Sequence, residues 1–196
     1  MDAEAKETLH RYLRVQREAL RWKLDGLGER ESRLPGTPTG TNLLGLVKHV
    51  ASMEYDYFGL VFDRPAPEPL PWLADDAEPN ADLWATAEQS REWVLSFYDR
   101  ACAHADGTIA ELDLDARGCV PWWSPDTREV TLHRILVHVI AETARHAGHA
   151  DIVREQLDGL SGMRIDSTNL PDQDAAWWSA YHDRLQRLAE SFPASS

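Results

Sequence analysis

Cysteine is nearly absent from this chain: Cys102 and Cys119 are the two in 196 residues, enough for one bridge at most and for no C-x-x-C pair. A disulfide framework and a thiolate-rich zinc site are thereby excluded. Long apolar runs are missing too. None approaches the ~20 residues a membrane helix needs, and the first residues, MDAEAKETLHRYLRVQREAL, mix acids and bases without a signal peptide's apolar stretch. Positive charge is scarce: 20 basic residues against 33 acidic ones leave −13. Such a surface repels polyanions rather than releasing their counterions. A reduced, cytoplasmic protein that binds neither nucleic acid nor membrane is expected. Apolar surface, by contrast, is ample, with 43% hydrophobic residues and eight Trp against 27% charged residues. That excludes wholesale disorder, and the length predicts a single domain over 1–196.

Helical periodicity dominates. Leu9, Leu13, Leu20, Leu24 and Leu27 recur at steps of three, four or seven and form one stripe. Gly26, Gly28 and the Pro35-Gly36-Thr37-Pro38 stretch end that helix. Thr41-Asn42 caps a second helix to about Gly59, and the Pro-rich run 64–71 cannot continue it because alternate residues lack an amide donor. Asn80 reads as the cap of a third helix carrying Leu83, Ala87, Val94, Phe97 and Ala101. Residues 105–127, with Gly107, Gly118, Pro121 and Pro125, read as a second long connection. Within it, Ile109 to Leu114 and Cys119-Val120 are open between a short strand and plain packing. A fourth helix is expected from Glu129 to Leu157, closed by Gly159, and a last one from Pro171-Asp172 with Trp178, Tyr181, Leu185, Leu188 and Phe192 on one face.

Four long amphipathic helices plus a C-terminal one predict an all-α four-helix bundle. A helix of ~26 residues spans ~39 Å. About 12 extended residues recross that length. The Pro-rich connection is therefore long enough to return along the bundle and make helices two and three parallel, giving up-down-down-up connectivity.

The fourth helix carries an anomaly. Its alternating three-four seam runs Leu132, Ile135, Val139, Glu142, His146, His149, Val153, so a carboxylate and two imidazoles interrupt an aliphatic row. An unpaired carboxylate in a dry core costs several kcal/mol, and such groups are normally paired or bound to a metal. Residues four apart have Cβ atoms ~5–6 Å apart, so Glu142 and His146 can share an ion. His49, among Leu46, Val50 and Met53, can add a third ligand if helices two and four face each other. Any one of these histidines alone is more simply explained as a satisfied core residue or a partly exposed surface one, and Glu142 with His146 as a structural i,i+4 pair.

The stretch LLGLVKHVA at 43–51 and the stretch HVIAETARHAGHAD at 138–151 resemble the DinB-like metal-binding bundle superfamily, most closely its actinobacterial branch. The likeness runs over roughly residues 5 to 190. It implies the up-down-down-up bundle and a divalent metal, zinc or nickel, on His49, Glu142 and His146. Many members have His where this chain has Glu142; the Glu is similar to the metal site of mycothiol-dependent maleylpyruvate isomerase, whose additional C-terminal domain this chain lacks room for. The implied activity is thiol S-transfer: a low-molecular-weight thiol such as mycothiol, activated at the metal, attacks a small electrophile to give a thioether. A metal-dependent hydrolase working through bound water and a non-catalytic metal-binding bundle are the alternatives. The sequence marks no residue as a catalytic base. His138 and His149, one turn before Glu142 and after His146, stand as partners that orient the ligands or shuttle protons, or as plain helix residues. Trp122 and Trp123, in the loop before the fourth helix, either wall a substrate pocket or cap the bundle. Trp177 and Trp178 are expected to pack the last helix, Asp151 and Arg154 to form a surface pair, and both cysteines to be inert. A homodimer is also expected.

Overall fold

The computed structural model describes residues 2–193, and helix dominates them. Helix α1 spans Asp2–Arg21, with Asp2 and Glu4 in its first turn and Arg21 in its last, each matched to the helix dipole. A 3-10 turn, Trp22–Leu24, carries the stripe one step further, and the five-residue α2 is Glu29–Arg33. Helix α3, Leu43–Phe58, is capped as expected: Asn42 Oδ1 accepts from the Gly45 amide at 2.7 Å. Helix α4 is Arg91–Glu111, α5 is Leu132–Asp158 and α6 is Ala175–Glu190. Among the described residues no helix is long and apolar enough to cross a membrane.

Several boundaries differ from the sequence expectation. Asn80 does not cap a long helix; it sits in the left-handed region at φ 62° and opens a 3-10 turn, Ala81–Leu83. Asn suits both roles, because its short side chain tolerates that conformation. The cap of α4 is Ser90, whose Oγ accepts from the Trp93 amide at 3.1 Å, so Leu83 and Ala87 lie outside the helix. At its other end α4 runs through Gly107 to Glu111, and Ile109 is a buried helical residue rather than part of a connection. Burial of Ala105, Thr108 and Ile109 outweighs the ~1 kcal/mol that a mid-helix glycine costs. Strand β1, Arg117–Cys119, pairs antiparallel with β2, Glu129–Thr131, in the register Gly118↔Val130. Glu129 is therefore a strand residue and Thr131 caps α5, whose C-terminus is closed by left-handed Gly159 as expected. Asp174, accepting from the Trp177 amide, starts α6 three residues later than its proline suggested.

Side-chain bonds fix the helix directions. On α1, Lys6 reaches the Leu112 carbonyl, His10 meets Asp106 and Arg21 meets Asp99, so α1 and α4 are antiparallel. His49 touches His146 while Tyr57 touches His138, so α3 and α5 are also antiparallel. Lys48 bonds Gln89 just ahead of α4 and Tyr55 packs on Phe97 and His104, so α3 and α4 run parallel. This is the up-down-down-up order, and the crossover of residues 59–90 makes it possible.

That crossover is bolted flat against α3. Lys48 Nζ donates to the carbonyls of Ala81 and Trp84 at 2.8 Å each, Asn42 Nδ2 donates to Leu83, and Trp72 Nε1 donates to Ser52 Oγ. Gly45 permits the approach, because a Cβ there would overlap the Leu83 carbonyl oxygen.

The core forms two apolar clusters, one around Leu20, Leu24, Leu44, Val47 and Phe97, the other around Leu13, Phe58, Ile109, Ile135 and Val139. At their junction Arg17 makes a bidentate bond to Glu54, both contacts 2.7 Å, and a third bond to Asp106 at 2.6 Å. Arg17 is 5% exposed and Glu54 not at all. Arg154 is no surface residue: it is buried, bonded to Asp158 and to the carbonyls of Lys23 and Asp25, while Asp151 pairs with Lys23. Helix α6 has no buried residue. Trp177 and Trp178 pack within that helix, Trp177 stacking on Tyr181 at 5.1 Å, rather than against the bundle.

Three consequences are measurable. Glu54→Gln removes the buried, bidentate partner of Arg17 and leaves the guanidinium Asp106 as its one carboxylate, which should cost roughly 3 kcal/mol. Thermal melting would register that as a fall on the order of 10 °C; the double variant Arg17→Met/Glu54→Leu should recover most of it. Gly45→Ala should loosen the crossover, seen as faster amide exchange over residues 80–90 with less change in α1. Burial raises the Asp106 carboxyl, but Arg17 and His10 outweigh it and hold the group below its ordinary value. A depressed carboxyl stabilises the fold above its unfolded pKa and loses that contribution as pH falls through the folded one. Urea midpoints should therefore drop below about pH 4, and less steeply in Asp106→Asn.

Candidate functional site

The site stands at the edge of the buried face of the fourth helix. Leu132, Ile135, Val139 and Val153 of the expected seam are buried, and so are Leu136, Thr143, Ala147 and Ala150 beside it. Glu142 and His146 therefore flank the core instead of filling it, with 32% and 14% of their side chains exposed, and His149 is exposed. Small Ala147 and Thr143 take the central positions facing α3.

His49, from α3, meets His146 edge to face with ring centroids 4.7 Å apart. Glu142 Oε2 lies 3.8 Å from His146 Nε2. The three side chains expected from the sequence are thus brought to one cleft. Among the described residues no three His, Cys, Asp or Glu groups form a closed metal-holding set. His146 nevertheless stands without a hydrogen bond, and its Nδ1 is buried with no partner. Burial, with His49, His149 and Arg145 adding to it, pushes the His146 imidazole down to about 4, so the ring is neutral. Neutral is the state in which imidazole binds a metal.

Asp82 is the group that sequence reasoning missed. Its Oδ2 lies 2.6 Å from His49 Nδ1, and that bond holds the Asp82 carboxyl below its ordinary value. A carboxylate on Nδ1 fixes the ring and leaves Nε2 as the acceptor. Nothing in the sequence marks Asp82, since the crossover has no periodicity and its approach depends on the bolts at Gly45 and Lys48. Lys48, next to His49, is buried, and burial pushes its ammonium down to about 8 despite Asp82.

Asp56 was also missed, although it lies two turns along α3 from His49 and a seven-residue spacing shares a face. Burial and the nearby Asp82 raise its carboxyl to about 6. His138 packs against Tyr57 and Trp123 at 4.7 and 5.1 Å, and its buried Nε2 has no partner. Trp122 is exposed and lines a cavity with His49, Asp56 and Glu142, whereas Trp123 packs against the lower core cluster. One tryptophan of the loop thus borders a cavity and the other packs on the bundle. Of the cysteines, both free, Cys102 is pushed far upward by burial, with Glu54 nearby, and supplies no thiolate.

Two imidazoles and a carboxylate from antiparallel helices, one ring oriented by a second carboxylate, form a donor set suited to a borderline divalent ion. No curated protein matches the chain. The family model described as MST, Mycothiol-S-transferase, matches residues 8–159, which takes in most of α1, the crossover and every residue of the cleft. The chain therefore belongs to the mycothiol S-transferase family, a DinB-like family.

Proposed function

We propose that this protein is a divalent-metal-dependent enzyme that transfers mycothiol to a small electrophile, with His49, Glu142 and His146 holding the metal. The observation that carries it is the contact of His49 with His146, backed by the Asp82 bond, in a chain of this family. The buried, unpartnered nitrogen of His146 supports it as well, since an orphaned polar atom is costly unless something else engages the ring. Zinc suits the donors, and nickel is a second choice. A divalent ion supplies the positive charge that lets a thiol lose its proton at neutral pH.

The remaining work falls to the chain. Asp82 holds the His49 ring in one orientation, and the α3–α5 packing fixes the spacing of the two imidazoles. Tyr57 and Trp122 wall the space beside Glu142 and give the acceptor aromatic surface to lie against. The thiol proton passes to solvent, sulfur attacks the acceptor carbon, and the carbon–halogen bond of a haloaromatic acceptor breaks to release halide. The exposed faces and long apolar stripe of α6 are the surface on which a homodimer would form, and the net charge favours neither nucleic acid nor anionic membrane as partner.

Protein made without a histidine tag should carry about one zinc or nickel per chain by elemental analysis. His49→Ala and His146→Ala should each abolish it. Asp82→Asn should weaken metal affinity about 10- to 100-fold while leaving the fold intact. Added zinc should raise the melting temperature of the wild type and not of His146→Ala. Mass spectrometry should detect the mycothiol conjugate of chlorodinitrobenzene only with the loaded wild type. A wild type that refuses both metals after refolding sinks the reading.

A further inference from the structure

Two cavities flank the His49–His146 pair, and their linings differ in kind. One, of about 520 Å³, lies between the loop before α3, the crossover and α5. Its polar groups include Thr39, Thr41, Asn80 and His149, and the exposed ring of Trp84 offers a flat face. None of its lining residues is Asp, Glu, Lys or Arg. The other, of about 340 Å³, has Tyr57 and Trp122 as walls and three carboxylates, Asp56, Asp82 and Glu142, with no Lys or Arg. His146 borders the first cavity, His49 and Glu142 the second; Leu83 lines the first and its neighbour Asp82 the second. A group held at the histidine pair is thus reached from both sides.

The linings select by charge. Mycothiol carries its acetylcysteine on a glucosaminyl-inositol, a neutral surface dense in hydroxyls. Neutral donors and acceptors beside an aromatic plane match such a surface without leaving any charge unpaired. Glutathione and bacillithiol bring carboxylates, which need cationic partners that the first cavity lacks. In the second cavity the three carboxylates outnumber the two charges of a divalent ion, so an anionic acceptor is repelled there. Asp56 has no hydrogen-bond or ion-pair partner among the described residues, so its charge acts on whatever enters.

We propose that the two cavities divide the substrates: the neutral one beside Trp84 holds the sugar portion of mycothiol, and the acidic, aromatic one under Trp122 admits acceptors without negative charge, with Asp56 as the residue that excludes anions. This assignment rests on the transferase reading, and its test separates the two. Trp84→Ala should raise the KM for mycothiol about fivefold, equivalent to ~1 kcal/mol of lost stacking, with the acceptor KM unmoved and Trp84→Phe restoring most of the loss. Asp56→Asn should leave the mycothiol KM unmoved and improve use of anionic chloronitrobenzoate relative to neutral chlorodinitrobenzene by about fivefold. N-acetylglucosaminyl-inositol, which lacks the thiol and keeps the neutral amide, titrated against tryptophan fluorescence, needs no turnover. Its binding to the wild type, weakened in Trp84→Ala, supports the division even where no conjugate forms. No binding by the wild type overturns the division. So does conjugate formation with unchanged KM values in both variants, and in that case the transferase reading stands.

Discussion

The rotation of α3 about its own axis is the constraint on which the rest of this molecule depends. Residues of that helix face three neighbours at once. Glu54 points to α1, where Arg17 grips it with two bonds; Gly45 and Lys48 point to the crossover; His49 and Asp56 point to the cleft beside α5. At roughly 100° per residue, Glu54 lies about 140° around the helix from His49 and Gly45 about 40° from it. A bidentate pair on one side and a close backbone contact on another leave α3 no freedom to roll, and the imidazole of His49 inherits that fixity. A buried ion pair adds little net stability, because desolvation offsets most of the Coulomb gain. Its value here is geometric: it sets one orientation of α3 that apolar packing alone would leave looser.

The same level of the bundle is polar on every helix. Arg17, Glu54, Asp106 and Thr143 lie where the two apolar clusters meet, and the cleft opens at that height on the far side of α3. Thr143 Oγ1 is buried without a partner, and so is His146 Nδ1 one turn on. Orphaned groups of this sort are costly, and three of the four among the described residues, on His138, Thr143 and His146, lie along the stretch of α5 that borders the cleft, the fourth being His104 on α4.

How much of this was legible in the sequence follows from what kind of order encodes it. The helices and the long crossover were legible because a 3.6-residue period persists over many turns and averages out local noise. His49, Glu142 and His146 stand out as candidates because each interrupts an apolar row. Their depth was not legible, since a three-four seam does not tell the middle of a wide buried arc, where Thr143 and Ala147 lie, from its edge, where Glu142 and His146 lie. Asn80 was misread because one side chain serves both a cap and a left-handed turn, and only the tertiary context chooses. Glu54 was invisible as a partner for Arg17, which is distant in sequence. Asp82 and Trp84 sit in a segment with no period at all, where position is decided by what the segment is tied to.

Those ties explain a feature of composition. Of the twenty basic residues seventeen are Arg, yet two of the three lysines, Lys23 and Lys48, are fully buried. Both do the same task. Lys23 donates to the carbonyls of Ala19 and Gly162, fastening the segment after α5, and Lys48 donates to those of Ala81 and Trp84, fastening the crossover. Arginine does both kinds of work: its planar fork matches two carboxylate oxygens in Arg17 and Arg154, while Arg33 donates to the crossover carbonyls of Ala85, Thr86 and Gln89. An ammonium on a thin stem can reach such carbonyls from within a packed helix face, with three donors free to rotate. The stem of Lys48 also lies where Trp72 covers the ammonium at 4.4 Å, which shields the charge without demanding an acid. Because Lys48 precedes His49, the bolt and the candidate ligand share one turn of helix. The ammonium that ties down Ala81 and Trp84 therefore also sets the position of Asp82 between them, and with it the ring that Asp82 holds.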